Sequence, residues 1–232
     1  MKAVVIIPAH DEAERIEATV KAARAIPGVV RVLVVDDASS DDTAERASAA
    51  GADVLRLERN VGKGAALQAG LERVRRGKDA VLLLDADLGE SAAQGALLLE
   101  PVLDGVADMT IARFPKPANT AGFGLVMRLA RWGIRRYGSP DFEATAPLSG
   151  QRSLTPAAVD AVTPFESGYG VEVGLTARAL KAGLRVMEVD TTMAHAATGR
   201  DLAGFAHRGR QFADVVRALL SLRRAERRPS RT

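Results

Sequence analysis

Short, wholly apolar runs alternate with stretches of helical period along the first 112 residues. AVVII (3–7), RVLVV (31–35), DVLRL (53–57), AVLLL (80–84) and DMTIA (108–112) read as strands. AVVII, VLVV and AVLLL are continuously apolar, the pattern of strands covered on both faces. The clearest helix lies at 64–76, where Leu67, Gly70, Leu71 and Val74 keep the i, i+3, i+4, i+7 spacing of one face. Strands alternating with helices predict βαβ units in an α/β fold, with a mostly parallel sheet flanked by helices on both faces.

Beyond residue 112 the pattern changes. A Pro-bearing stretch, RFPKPANTAG, leads into a helical segment at 123–137, then a loop at 138–149 and the segment SGQRSL. A helix at about 170–182 precedes a last strand, LRVMEV (184–189). A terminal helix at about 201–224 is expected to pack through Phe212, Val215, Val216, Leu219 and Leu220. The layout predicts one domain over 1–222, with a nucleotide half (1–112), an acceptor half (113–222) and a basic tail (223–232).

Composition narrows the class. The chain has 232 residues, 47% hydrophobic and 26% charged, and its mean hydropathy is zero. A disordered or membrane-embedded chain would depart from those values. No apolar run approaches the roughly 20 residues that span a bilayer. Cysteine is absent, which removes disulfides, thiolate metal sites and a Cys nucleophile, and fits a cytoplasmic location. Net charge is +3, but the last ten residues hold five Arg against one Glu. Subtracting that local +4 leaves the other 222 residues near −1, so the basic character belongs to a tail. Aromatics are 4% and no basic–aromatic platform is present, so nucleic acid is not an expected partner.

The chemistry-bearing residues follow the strands. Strand one runs into PAHDEAERI, strand two into DDASSDDT and strand four into DADL. Doubly wound sheets bind ligands outside the carboxyl ends of their strands. Helix capping accounts for Asp41 or Asp42; it does not account for Asp36 and Asp37, on the strand end itself. Asp85 and Asp87 sit i, i+2 where an apolar strand stops, which in extended chain puts both carboxylates on one side. Mg²⁺ typically takes one or two carboxylates plus substrate phosphates. Metal–diphosphate binding is the reading this spacing favours.

Taken in order, VIIPAHDEAERI, VVDDASSDDT, NVGKGAALQAGL and LLLDADL resemble the GT-A-fold, family-2-like nucleotide-sugar glycosyltransferases. SGQRSL, GYGVEVGLTARAL and a later His resemble that family's acceptor-side elements. His10 stands where the family commonly has Asn. The resemblance implies a GT-A domain that takes a nucleotide diphosphate sugar, UDP- or GDP-linked. It also implies Mg²⁺ or Mn²⁺, and a hydroxyl or phosphate acceptor. It implies that Pro8, Ala9 and Glu12 line the base and ribose pocket and that Asp37 contacts the nucleoside. Lys63 would lie near the nucleotide, Asp87 would ligate the metal, and Asp85 would contact the ribose or the metal shell. Gly150 falls in the acceptor-side segment.

Other residues carry expectations of their own, each beside a plainer one. Glu172 lies in an otherwise uncharged helix start, where a lone buried carboxylate is costly. The resemblance makes it face sugar or acceptor as a general base; the plainer reading is a Glu favoured by the helix dipole. His195 follows the last strand and is a candidate metal ligand or an ordinary loop His. Arg200, His207, Arg208 and Arg210 form a cationic segment that could stabilise a leaving nucleotide, or be solvated helix charges. Arg152 is a candidate contact for an anionic acceptor. Arg128, Arg131, Arg135 and Arg136 share a helix with Trp132 and no acid, a basic amphipathic pattern suited to an anionic membrane surface or to packing on the domain. A lipid-phosphate acceptor at the inner membrane face is therefore a second expectation. A nucleotidyltransferase fits less well, because its glycine-rich basic loop is absent from the acidic turn PAHDEAE. A non-catalytic nucleotide-sugar-binding module is the remaining rival.

Overall fold

The computed structural model describes residues 2–74, 79–115, 124–166, 168–194 and 202–226, with Tyr169 and 202–211 described by backbone alone. Seven strands form one sheet in the order β3-β2-β1-β4-β6-β5-β7. They are β1 (Ala3–Ala9), β2 (Val29–Asp36), β3 (Asp53–Arg56), β4 (Ala80–Leu83), β5 (Met109–Arg113), β6 (Arg152–Leu154) and β7 (Val186–Asp190). The helices between them are α1 (Ile16–Arg24), α2 (Thr43–Ala49), α3 (Lys63–Arg73), α4 (Gly95–Leu103), α5 (Gly124–Tyr137), α6 (Pro156–Val162) and α7 (Val171–Lys181). The last helix is α8 (Leu202–Glu226). Every strand pairing is parallel except those of β6, which runs antiparallel to both β4 and β5.

The continuously apolar strands are explained by two cores, one on each face. Alternate residues of one strand point to opposite faces. Ala3, Val5 and Ile7 of β1 pack with Ile16 and Val20 of α1 and Leu98 and Leu99 of α4. Val4 and Ile6 pack with Leu67 and Leu71 of α3 and with Val171 and Leu175 of α7. A third cluster joins α5, α7 and α8 through Ile134, Val173, Ala177, Val215 and Leu219. Helix α7 is thus enclosed between the sheet and two helices, and all of residues 171–177 are buried. A helix apolar on every side belongs in such a place.

Two expectations change. The segment SGQRSL contains a strand, β6, inserted between β4 and β5. Three residues, two of them polar, leave no alternation for a pattern to register. The buried face of α8 is Val215, Ala218, Leu219 and Leu222, while Phe212 and Leu220 are exposed. The helix turns Val215–Leu219–Leu222 onto α5 and α7, which rotates the expected face by part of a turn.

Gly70 marks the closest approach of α3 to the sheet. A Cβ there would lie 2.7 Å from Ile6 Cγ2 and 2.9 Å from Val35 Cγ2. Both neighbours are fully buried strand side chains, so neither can swing away. Gly70→Ala is expected to lower stability by about 1–3 kcal/mol through overpacking, outweighing the helix-propensity gain of about 1 kcal/mol. Equilibrium denaturant unfolding checks this; a variant as stable as wild type would show that α3 can shift away from the sheet.

Candidate active site

The strand order reverses between β1 and β4, and the acidic segments converge where their carboxyl ends splay apart. Hydrogen bonds tie the first two segments together. Asp11 N donates to Ser39 Oγ at 3.0 Å, Ser40 N to Asp11 Oδ1 at 2.7 Å, and Glu12 N to Thr43 Oγ1 at 2.8 Å. Asp41 accepts from Ala13 N at 3.2 Å and from Thr43 N at 3.0 Å, so it bridges both loops while serving the start of α2. Asp11 and Ala38 both have positive φ, 54° and 58°. Non-glycine residues take that conformation at a cost, and such residues cluster at functional sites.

The two strand-end aspartates have separate duties. Asp36 is fully buried, with Arg56 Nε 3.0 Å from its Oδ2. Asp37 accepts from the backbone amides of Val61 at 2.8 Å and Gly62 at 2.7 Å. Its carboxylate therefore holds the turn that opens α3. Gly62 there has φ 85°, a left-handed backbone that glycine adopts at no steric cost. The next residue is Lys63.

Lys63 reaches across the cleft. Its ammonium lies 2.7 Å from Asp85 Oδ1 and 3.0 Å from Glu172 Oε1. Burial alone would push its pKa down; Asp85 and Glu172 outweigh that and hold it well above the ordinary lysine range. Gln151 Nε2 donates to the other oxygen of Asp85 at 2.6 Å. Gly150 leaves the space this requires: a Cβ there would sit 2.4 Å from Lys63 Nζ and 3.1 Å from Asp85 Oδ1. Glu12 stands at the same cleft. Burial, with Asp87 and Asp85 nearby, pushes its carboxyl up to about 7.

The structure brings together Lys63, Asp85, Glu172 and Gly150, with Glu12 and Asp87 near them. Pro8 and Ala9 end β1, and the Ala9 carbonyl accepts from Asp37 N at 2.8 Å. Arg152 is elsewhere: it is fully buried, with Nε on the Ser149 carbonyl at 3.0 Å and Nη1 on Thr176 Oγ1 at 2.8 Å. It faces the core and not an acceptor cleft. His195 and Arg200, and the side chains of His207, Arg208 and Arg210, lie outside the described residues. Nothing in the sequence marks Gln151 or Thr176 as functional: Gln151 lies within SGQRSL between Gly150 and Arg152, and Thr176 has no local signal.

Among the described residues no three His, Asp or Glu side chains are grouped to hold a metal ion. Residues 86–87 form a turn and not the extended chain expected, and Asp85 has both oxygens engaged by Lys63 and Gln151; Asp87 suits a hard cation, which takes one or two carboxylates beside phosphate oxygens.

Acidic groups gathered at the switch point of an α/β sheet and bridged by Lys63 agree with the GT-A resemblance of the sequence motifs. The chain belongs to glycosyl transferase family 2, whose family model matches residues 4–143. It is 29% identical to an undecaprenyl-phosphate mannosyltransferase of Micrococcus luteus, over 96% of both chains. It is 31% identical to a glucosyl-3-phosphoglycerate synthase of Mycolicibacterium paratuberculosis, over 74% of this chain and 57% of that one. The crystal structure of glucosyl-3-phosphoglycerate synthase from Mycobacterium tuberculosis with Mg²⁺ and UDP superposes with a TM-score of 0.76. The identity there is 26%, over 95% of this chain and 79% of that one. A structure of that same enzyme with Mn²⁺, UDP-glucose and phosphoglyceric acid gives a TM-score of 0.76 at 27% identity.

Glu12 makes a pH prediction. Its carboxyl is raised from 4.5 to about 7 on folding, so the unfolded chain ionises first. Its contribution is complete below the unfolded value and is lost as pH rises through the folded one. Glu12→Gln is therefore expected to melt higher than wild type near about pH 8 and to converge with it near about pH 4. Thermal unfolding across that range decides it; a gap independent of pH would contradict the assignment.

Proposed function

We propose that this glycosyltransferase moves a sugar from a nucleoside diphosphate sugar, UDP- or GDP-linked, to a hydroxyl or phosphate acceptor, with Mg²⁺ or Mn²⁺ as cofactor. The observation that carries this reading is the Lys63 ammonium held between Asp85 and Glu172 at the carboxyl ends of the sheet. A cation poised there on the Asp37-braced turn is placed to meet a diphosphate. Pro8, Ala9 and Glu12 would line the base and ribose, Asp37 would contact the nucleoside, and Asp87 with His195 would hold the metal. Asp85 would contact the ribose or the metal shell, and Arg208 is proposed as a nucleotide contact. Gly150 borders the acceptor.

A bound divalent cation supplies neutralisation of the charge that develops on the departing diphosphate. For a hydroxyl acceptor, the Glu172 carboxylate takes the hydroxyl proton as that oxygen bonds to the anomeric carbon. The bond from the anomeric carbon to the diphosphate oxygen breaks, and the nucleoside diphosphate leaves with the electron pair. Support comes from the relatives: structures of the mycobacterial synthase hold UDP with Mg²⁺, and UDP-glucose with Mn²⁺.

A second reading, a polyprenyl-phosphate acceptor at a membrane surface, has its own observation. Arg128, Arg131, Arg135 and Arg136 line a groove on the outer side of α5 with Trp132 and Pro140. Trp132 is 54% exposed and Leu125 66%. Cations beside exposed apolar groups suit an anionic interface. Among the described residues no helix is long and apolar enough to cross a membrane.

Thermal-shift titration with UDP, GDP and their common sugars, each with and without Mn²⁺, tests the first reading. A native-state ligand at about 100-fold excess over Kd adds roughly 2.7 kcal/mol. One nucleotide is expected to stabilise the chain in a metal-dependent way, and Asp87→Ala should abolish the metal-dependent part. Indifference to every donor in the presence of metal would point to the binding-module rival with another ligand. For the second reading, the chain should sediment with vesicles rich in anionic lipid and not with zwitterionic ones. Arg128→Gln combined with Arg135→Gln should weaken that binding, and recovery of the wild-type chain in the supernatant of both would remove the reading.

A further inference from the structure

Arg152 sits in the middle of the sheet, on a strand paired along both edges through Leu83 and Ile111. Its side chain is wholly buried, and a buried guanidinium is costly unless its donors and its charge are answered. Burial pushes its pKa down to about 10, while Glu172 and, less strongly, Glu188 pull the other way. Nε and Nη1 have the partners already described; Nη2 is buried with no partner among the described residues.

Thr176 links this guanidinium to α7. A threonine hydroxyl has one proton. Thr176 Oγ1 lies 3.0 Å from the carbonyl oxygen of Glu172, one helical turn earlier, and donates to it. Its lone pair is then what accepts from Arg152 Nη1 at 2.8 Å. A directional chain runs from guanidinium to hydroxyl to the main chain of Glu172. On that same residue Oε1 meets Lys63, while Oε2 is buried without a partner among the described residues. One chain thus has an unanswered buried donor at one end and an unanswered buried acceptor at the other. Buried polar atoms in folded proteins seldom stay so.

Lys63 and Arg152 differ in what they are free to do. Lys63 stands at the cleft, 20% exposed, and can turn toward a diphosphate. Arg152 is enclosed on all sides and cannot leave. Once Lys63 engages a diphosphate, Glu172 keeps a counter-charge only if another cation is fixed nearby. The groups that bear on this carboxylate are Lys63 of α3, with Asp85 behind it, and Arg152 of β6, itself within the field of Glu188 on β7.

We propose that Arg152 is a positioning residue for Glu172, acting through Thr176 to fix the first turn of α7. Its role in turnover rests on the reading of Glu172 as the group that takes the acceptor's proton. Arg152 does not touch substrate.

The test uses the full chain and two pairs of variants. Thr176→Val keeps the shape and removes the hydroxyl, and Thr176→Ser restores it; Arg152→Met keeps the length and removes the charge, and Arg152→Lys keeps the charge without the fork. The side-chain carboxyl ¹³C resonance of Glu172, assigned by its loss in Glu172→Gln, is the first readout. It is expected to move in Thr176→Val and Arg152→Met and to stay in place in Thr176→Ser. Turnover of UDP-glucose and GDP-mannose with Mn²⁺ is the second. Thr176→Val is expected to lose about tenfold or more in kcat with little change in donor KM, as misplacement of a reacting group does, and Thr176→Ser to recover it. An unmoved resonance in Thr176→Val would overturn the proposal, as would a kcat loss that Thr176→Ser fails to restore. If Arg152→Met does not fold, the Thr176 pair decides alone. The resonance needs no substrate, so full turnover in Glu172→Gln would defeat the reading of Glu172 while leaving the contact itself tested.

Discussion

The site depends on one ammonium group. Asp85 follows β4 and Glu172 opens α7, two elements far apart in sequence, and their carboxylates face each other across a partly buried space. Unanswered, the two charges would repel and would pay heavily for leaving water. Lys63 answers both. Much of the surrounding local structure follows from bringing it there. Asp37 spends its carboxylate on two backbone amides so that the turn before Lys63 is held, and Gly62 takes a left-handed backbone within it. Gly150 keeps clear the volume that the ammonium fills.

The architecture places these residues by layering. Each apolar strand serves two cores at once, so the sheet has no freedom to slide and its carboxyl ends form a fixed rim. Helix α7, covered by the sheet on one side and by α5 and α8 on the other, carries Glu172 on a first turn that is itself buried. A side chain mounted on so enclosed an element is held far more tightly than one on a surface loop.

The half of the site that follows β1, β2 and β4 was legible in the sequence because local rules govern it. Apolar runs ended in acidic turns, and Gly-Lys-Gly opened a helix whose face is buried as its spacing predicted. The second half was only partly legible. β6 is too short and too polar to show a strand's period; it is a strand because the gap between β4 and β5 accepts it. Arg152 reads in one dimension as a contact for an anionic acceptor, and only the pairing of β6 on both edges shows that it is interior. Gln151 and Thr176 act through partners 66 and 24 residues away, separations at which composition and periodicity are silent. The misjudged face of α8 has the same origin: Phe212 and Leu220 are as apolar as their neighbours, and only the position of α5 and α7 decides which of them is covered.

The insertion of β6 also bears on how the chain comes to be folded. As the polypeptide is made, β1 through β5 exist before β6 does, yet β4 and β5 touch each other only through it. Until then β4 has one open edge and β5 has both, each a row of unpaired amides and carbonyls capable of pairing with the wrong chain. The strand that closes the gap arrives together with Gly150, Gln151 and Arg152. Joining β4 to β5 and placing Gly150 and Gln151 beside Lys63 and Asp85 are consequently one event, with only β7 still to pair, so a chain truncated before β6 would lack both.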